Sequence, residues 1–341
     1  MLSEKSSNYL KSILKELNSN KIDLDHLKQL VIRGFPIKCK GLRSIVWRLL
    51  LFELPSDATQ WHKEMEKNKK EYETFKKELI VSPSLGPEDD PLSLDSSSKW
   101  NIFFQNKKQI EEINNDIQRT RPEIKFVFEA SSFSPSETNN DIMTRILFIY
   151  AKLNPGIKYV QGMNEILMVL YYTIIEDTLE GYTDYIESET FFLFSRMMGE
   201  IQNNFLRELD KSAHGVDNQL LDISNLVKRH CHDVWENLVI LKIDYKFFAL
   251  RWVLLLLSQE FSVTDTQILW DLLLTTKIRF SFVHYLILAL LLNLRKELMN
   301  DDFSVVMKML QGAAKKIKAI ETDLKIPALK AYKDDMDAGG V

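Results

Sequence analysis

A chain of 341 residues, 45% apolar and carrying a formal charge of −4, is long enough to bury a large core and lacks the basic excess of a nucleic-acid binder. Its two cysteines, Cys39 and Cys231, are too sparse for a disulfide framework, so reduced thiols in a soluble, intracellular chain are expected. Eleven glycines and nine prolines are about half the usual share, which favours long helices.

From the N-terminus, Met1 to Asn20 is polar and mixed in charge, unlike a signal peptide. Leu10, Ile13, Leu14 and Leu17 recur at helical spacing and predict an amphipathic helix within an N-terminal extension, residues 1–30. After Gly34-Phe35-Pro36, Arg43 and Trp47 lie four apart on one helix face. Trp47 is expected in the core, and Arg43 either bridges to a neighbouring helix or reaches a functional edge. Lys63 to Lys77 interleaves lysines with glutamates and predicts a solvated helix face. Ser82 to Ser98, rich in Ser, Pro and acid, is expected to be an exposed loop, because it has too little apolar surface to order itself.

Ile110, Ile113 and Ile117 then mark the buried face of a helix that Pro122 limits. Asp116 and Arg119 lie three apart on another face, with Arg119 near the C-terminus, where a cation is electrostatically favoured. An aspartate one turn back can hold a guanidinium in a fixed direction. Taken alone, such a pair is ordinarily a surface ion pair. Ile142, Ile146, Ile149 and Leu153 predict a helix ended by Asn154-Pro155-Gly156. Tyr159-Val160-Gln161-Gly162-Met163-Asn164 follows, before an apolar helix from Glu165 to Ile175. Gln161 therefore falls on a loop or helix start beside a glycine that permits close backbone approach. Its carboxamide can accept from a water and donate to a phosphate oxygen at once, although taken alone such a residue is more often a polar loop residue that caps the next helix.

Phe191, Phe194, Met198, Ile201 and Phe205 recur at spacings of three and four. His230-Cys231-His232 looks like a metal fragment but lacks two further ligands at sensible spacing, so no metal is expected. Trp252 to Leu257 reads as a core run. The greasiest segment, Phe280 to Leu294, contains His284 and Asn293 and is shorter than the ~20 residues of a bilayer span, so it is expected to be a core helix. Asp334 to Val341 is acidic and Gly-containing and is expected to fray. No segment alternates like a strand, no repeat of 20–50 residues recurs, and no G-x-x-x-x-G-K-[ST] loop is present. The fold class expected is all-α.

Taken together, Arg43 to Trp47, Ile113-x-x-Asp116-x-x-Arg119 and Tyr159-x-Gln161-Gly162 stand in the order of the TBC domain, the activator module for Rab GTPases. Arg251-Trp252, Glu260-Phe261 and Trp270-Asp271 resemble that family's later signature, and the likeness spans about Val31 to Leu274. Arg121 departs from it, since family members often carry an aromatic before the proline. The resemblance implies a two-lobed helical domain over residues 31–330, with Ser82–Ser98 as an exposed insert and residues 331–341 as a flexible tail. It implies that Arg119 and Gln161 act as arginine and glutamine fingers at an exposed groove between the lobes. Asp116, Tyr159, Gly162 and Asn164 would support them, with Arg43 a less direct contributor. The chain would have no cofactor of its own, because GTP and Mg²⁺ arrive with a GTP-bound Rab. Cytoplasmic placement, peripheral to endomembranes through a lipidated partner, follows from the same likeness. A TBC domain that binds without accelerating hydrolysis, and an unrelated helical scaffold, are the alternative readings.

Overall fold

The computed structural model describes residues 4–35, 41–80, 99–121, 124–178, 181–205 and 215–339. Among them there is no β-strand, and an isolated bridge joins Ala130 and Thr138. The all-α expectation therefore holds for the described residues. The Ser82–Ser98 stretch, Cys39 and Pro122 lie outside them. No described helix is long and apolar enough to cross a membrane.

Contacts divide the chain into two units, residues 38–199 and residues 1–37 together with 200–341. In chain order, α1 (Glu4–Leu17) and α2 (Leu24–Val31) belong to the second of these. The 38–199 unit carries α3 (Leu42–Leu50), α4 (Trp61–Leu79), α5 (Lys99–Gln118), α6 (Asn139–Leu153), α7 (Met163–Asp177) and most of α8 (Ile186–Ile201). The remainder are α9 (Val216–His230), α10 (His232–Ile240), α11 (Ala249–Leu254), α12 (Val263–Thr275), α13 (Val283–Asn293), α14 (Arg295–Leu298), α15 (Phe303–Gln311) and α16 (Ile326–Asp337).

Within residues 38–199, α7 is the central helix. Ile166, Leu167, Val169, Leu170, Tyr171 and Ile174 are all fully buried, as befits a helix apolar all round. Helices α3, α5 and α6 pack against it. Helix α5 presents Ile113 and Ile117 to the core, both with no exposed surface, so the isoleucine stripe orients the face that carries Asp116. Helix α6 begins at a capping box in which the Thr138 hydroxyl accepts from the Asp141 amide and the Asp141 carboxylate accepts from the Thr138 amide. The α7 expected from Glu165 to Ile175 runs two residues further at each end.

Helix α3 buries Trp47 completely, as its spacing indicates. The next residue, Arg48, is buried between two carboxylates, with Nε donating to Glu53 at 2.6 Å and Nη2 lying 2.8 Å from Glu189. One guanidinium cannot fully neutralise both. Desolvation, partly offset by Arg48 and reinforced by Glu53, pushes the Glu189 carboxyl up to about 7. In the folded chain Glu189 thus keeps a proton that the unfolded chain releases near pH 4.5. Stability from this group is therefore lost as pH rises from about 4.5 to 7. Glu189→Gln, which cannot ionise, is expected to gain about 2–3 kcal/mol relative to the native chain between pH 5 and pH 8 in urea titrations. A constant difference across that range would show that Glu189 ionises normally.

In the other unit, α1 buries Ile13 and Leu17, whereas Leu14 remains 39% exposed, so the apolar stripe is narrower than the sequence spacing indicates. Trp252 and Trp270 are core residues, and the indole of Trp270 donates to the Leu256 carbonyl at 3.0 Å. Arg251 pairs with Glu260. Phe280 and Phe282 lead into α13, whose Leu286 to Leu291 are buried, as expected of a core helix. Chain 331–337, expected to belong to a loose tail, is helical in α16. The buried Asp335 carboxylate accepts from Tyr285 at 2.9 Å and Arg229 at 2.8 Å and lies 3.0 Å from His230 Nε2. Those partners hold the segment down. They also give His230 a structural role, while the neighbouring Cys231 thiol, 3.3 Å from Asp233, is pushed up to about 11 by burial.

Candidate functional site

Helix α5 ends at Gln118, and Arg119 is the first residue beyond it. Its Nη2 donates to Asp116 Oδ1 at 2.7 Å and its Nε donates to the Asn115 carbonyl at 3.1 Å. Two donors are thus fixed while the side chain remains 72% exposed. The other oxygen of Asp116, itself buried, accepts from the Tyr159 hydroxyl at 2.9 Å. These partners are 43 positions apart in sequence.

Tyr159 also lies 3.2 Å from Asn164 Oδ1, which accepts from the Gly162 amide at 2.9 Å. The Asn164 amide group donates to Thr120 Oγ1 at 2.6 Å and reaches the Asp116 carbonyl at 3.3 Å. Thr120 in turn donates to the Asp116 carbonyl at 2.9 Å. The end of α5 and the start of α7 are thereby one hydrogen-bonded piece. Burial, then the adjacent Asp116 charge, pushes the Tyr159 phenol well above its ordinary range, so it stays a donor at any physiological pH.

Gly162 caps α7 with φ 108° and ψ −23°, a conformation that side chains rarely adopt. This turn leaves Gln161 exposed at the tip. Among the described residues, the Gln161 carboxamide has no hydrogen-bond partner. Gly162→Ala is expected to cost about 1–3 kcal/mol in a denaturation titration, through strain at this φ. An unchanged midpoint would mean that the turn relaxes freely.

The structure thus brings together Arg119, Asp116, Tyr159, Gly162 and Asn164, with Gln161 on the same turn. Arg43 sits elsewhere. It is buried in α3 near Asp177, whose carboxyl is pushed up by burial against the opposing pull of the Ser44 and Gly41 amides and, more weakly, of Arg43. Asp177 caps α3 by accepting from the Gly41 and Ser44 amides, both at 2.7 Å. It is the last residue of the 15-residue α7, about 22 Å along the helix from the turn that carries Gln161. Arg43 is therefore grouped with the far end of α7.

Two participants escape a reading of the sequence. Thr120 is buried and anchors Asn164, and its only sequence signal is a hydroxyl beside an arginine. Arg121, which departs from the family's usual aromatic, is 8% exposed, with φ 49° and Nε 3.8 Å from the buried Glu165. It fills the position inward, toward α7.

The Rab-GTPase-TBC domain model matches residues 88–299. The human protein TBC1 domain family member 13 is 31% identical over 369 residues, covering 88% of this chain and 91% of that protein. This chain belongs to the Rab-GTPase-TBC domain family. Another family relative, human TBC1 domain family member 5, is 28% identical over 355 residues, covering 90% of this chain and 43% of that protein. The TBC fold extends to solved structures. The crystal structure of the Ypt/Rab-GAP domain of Gyp1p superposes with a TM-score of 0.78 at 22% identity, covering 98% of this chain and 99% of that one. The Chlamydomonas flagellar RabGAP TBC domain gives 0.65 at 15% identity, over 98% and 92%. In this TBC chain both exposed candidates, Arg119 and Gln161, lie inside the region that the family model matches.

Proposed function

We propose that this chain is a GTPase-activating protein for a GTP-bound Rab-type small GTPase, lending Arg119 and Gln161 to the partner's nucleotide site. The observation that carries the reading is the Arg119–Asp116–Tyr159–Asn164 chain of hydrogen bonds. It immobilises the roots of two turns whose tips are exposed polar side chains. A core helix end has no need of a guanidinium fixed at one edge and open to solvent on the other.

The chemistry follows from phosphoryl transfer, which depends on positioning and on stabilising charge spread over the transferring group. Arg119 brings a planar cation whose remaining N–H groups are free to meet phosphate oxygens. Asp116 fixes its direction beforehand, so little ordering remains at the moment of reaction. Gln161 can accept from the attacking water and donate to a γ-phosphate oxygen. Tyr159 and Asn164 hold the two turns in register. GTP and Mg²⁺ belong to the partner, so the chain needs no cofactor and carries out no reaction of its own. Relatives named for TBC1 and Rab-GAP domains support the partner class. Control of vesicle trafficking, with membrane contact made through the lipidated partner and a cytoplasmic location, belongs to the same reading.

The test is phosphate release from a panel of GTP-loaded Rabs. Acceleration of one or a few members is expected. GDP with aluminium fluoride should tighten that complex beyond GDP alone, because a catalyst binds the transition state best. Binding to the GTP form without acceleration would leave a non-catalytic adaptor.

A further inference from the structure

Next to the turn that bears Gln161 is a cleft of about 440 Å³ between α5 and the end of α6. Lys108, Lys152 and Lys158 line it, with Glu112 the one acid on its wall and Tyr159 closing one side. In a chain of net charge −4 this is a local reversal of sign. None of the three lysines forms an ion pair with a described residue. Lys152, in the last turn of α6, is favoured there by the helix dipole. Lys108, mid-way along α5, and Lys158, beyond α6, have no such reason to be where they are.

Two further features set the cleft apart from a solvated lysine face. Lys152 is half-buried, its ammonium 5.4 Å from the Phe148 ring centre, and burial lowers its proton affinity. Lys158 is held at φ 62° by a turn whose amide donates to the Asn154 carbonyl at 2.8 Å. Backbone of that kind persists when its surroundings enforce it, and it gathers at binding sites. The cleft is also continuous with the candidate site, because Tyr159 is both its wall and the donor that holds Asp116.

Resting on the function proposed above, we infer that this cleft receives an acidic surface segment of the same GTPase, and so sets partner choice and encounter rate. A carboxylate entering it meets three ammonium groups and loses no existing ion pair. Charge arranged this way steers association and rejects partners of the wrong sign more than it alters chemistry.

The experiment measures GTP hydrolysis under single-turnover conditions with a Rab that responds to the native chain. Lys108→Glu, Lys152→Glu and Lys158→Glu combined should lower kcat/KM at least tenfold at low salt, with kcat within about twofold, and should erase its decline with ionic strength. Lys→Arg at the same positions should retain the native values. Lys158→Glu alone, at an exposed position, guards against a folding defect and should give a smaller loss of the same kind. An unchanged kcat/KM in the charge-reversed protein, while Arg119→Ala abolishes acceleration, overturns the cleft assignment and leaves the function standing. Failure of the native chain to accelerate or bind any Rab removes both. Unchanged kinetics with lost binding to phosphatidylserine vesicles assigns the cleft to a membrane surface and overturns the inference.

Discussion

Arg119→Ala is expected to reduce the acceleration of GTP hydrolysis by roughly 10³-fold or more, since an arginine supplied in trans contributes ~10³–10⁵ in rate. That corresponds to about 4–7 kcal/mol of barrier. The loss should fall on kcat, because charge on the phosphoryl group develops in the transition state and an interaction made only there does not help ground-state binding. Arg119→Lys should lose nearly as much, because an ammonium has no planar fork with which to bond Asp116 and phosphate together. Stability should fall modestly rather than collapse: the Arg119 side chain is 72% exposed, and the buried Asp116 carboxylate that it leaves behind keeps its bond from Tyr159. This combination distinguishes the finger from a structural arginine. A buried arginine such as Arg48 would unfold the chain before its chemistry could be read. Full activity in Arg119→Ala on a responsive Rab would falsify the site assignment.

The parts of the molecule that local chemistry decides are readable from sequence, and those that long-range partners decide are not. Ile113 and Ile117 show their burial by spacing, and that burial places Asp116 and Arg119 on the remaining faces. Gly162 marks its turn because no other residue adopts φ 108° at low cost. Asp335 shows the opposite case. Its neighbours are acidic and glycine-rich, which suggests a frayed end, yet Arg229, His230 and Tyr285 convert it into a buried anchor. Arg121 looks like a surface change when compared with aromatic residues at the same place. In the folded chain it turns inward, with its Nε 3.8 Å from Glu165 of α7. Arg43 carries a recognisable motif, but its neighbour Asp177 lies at the opposite end of α7 from the turn that bears Gln161, and no spacing in the sequence reveals that.

Gln161→Ala is the second large effect expected, a loss of about 10²–10³-fold in kcat, the range for removing one preorganised polar group from a transition state. Its carboxamide has no partner among the described residues, so truncation leaves no buried group unsatisfied and the fold should be untouched. The neighbouring turn makes the result interpretable. Gly162 donates to Asn164, and Asn164 is bonded to Thr120 at the end of α5, so the backbone at Gln161 is set independently of its side chain. Gln161→Glu is the sharper variant: it keeps the shape, loses the donor and brings a negative charge toward the γ-phosphate, so it should be at least as damaging as alanine. In the double variant with Arg119→Ala the two losses should fall well short of multiplying, because both groups serve one transition state held together by one hydrogen-bonded piece. Fully multiplicative losses would show instead that the arginine and the glutamine stabilise the transition state independently, and the shared scaffold of Asp116, Tyr159 and Asn164 would then have no bearing on their cooperation.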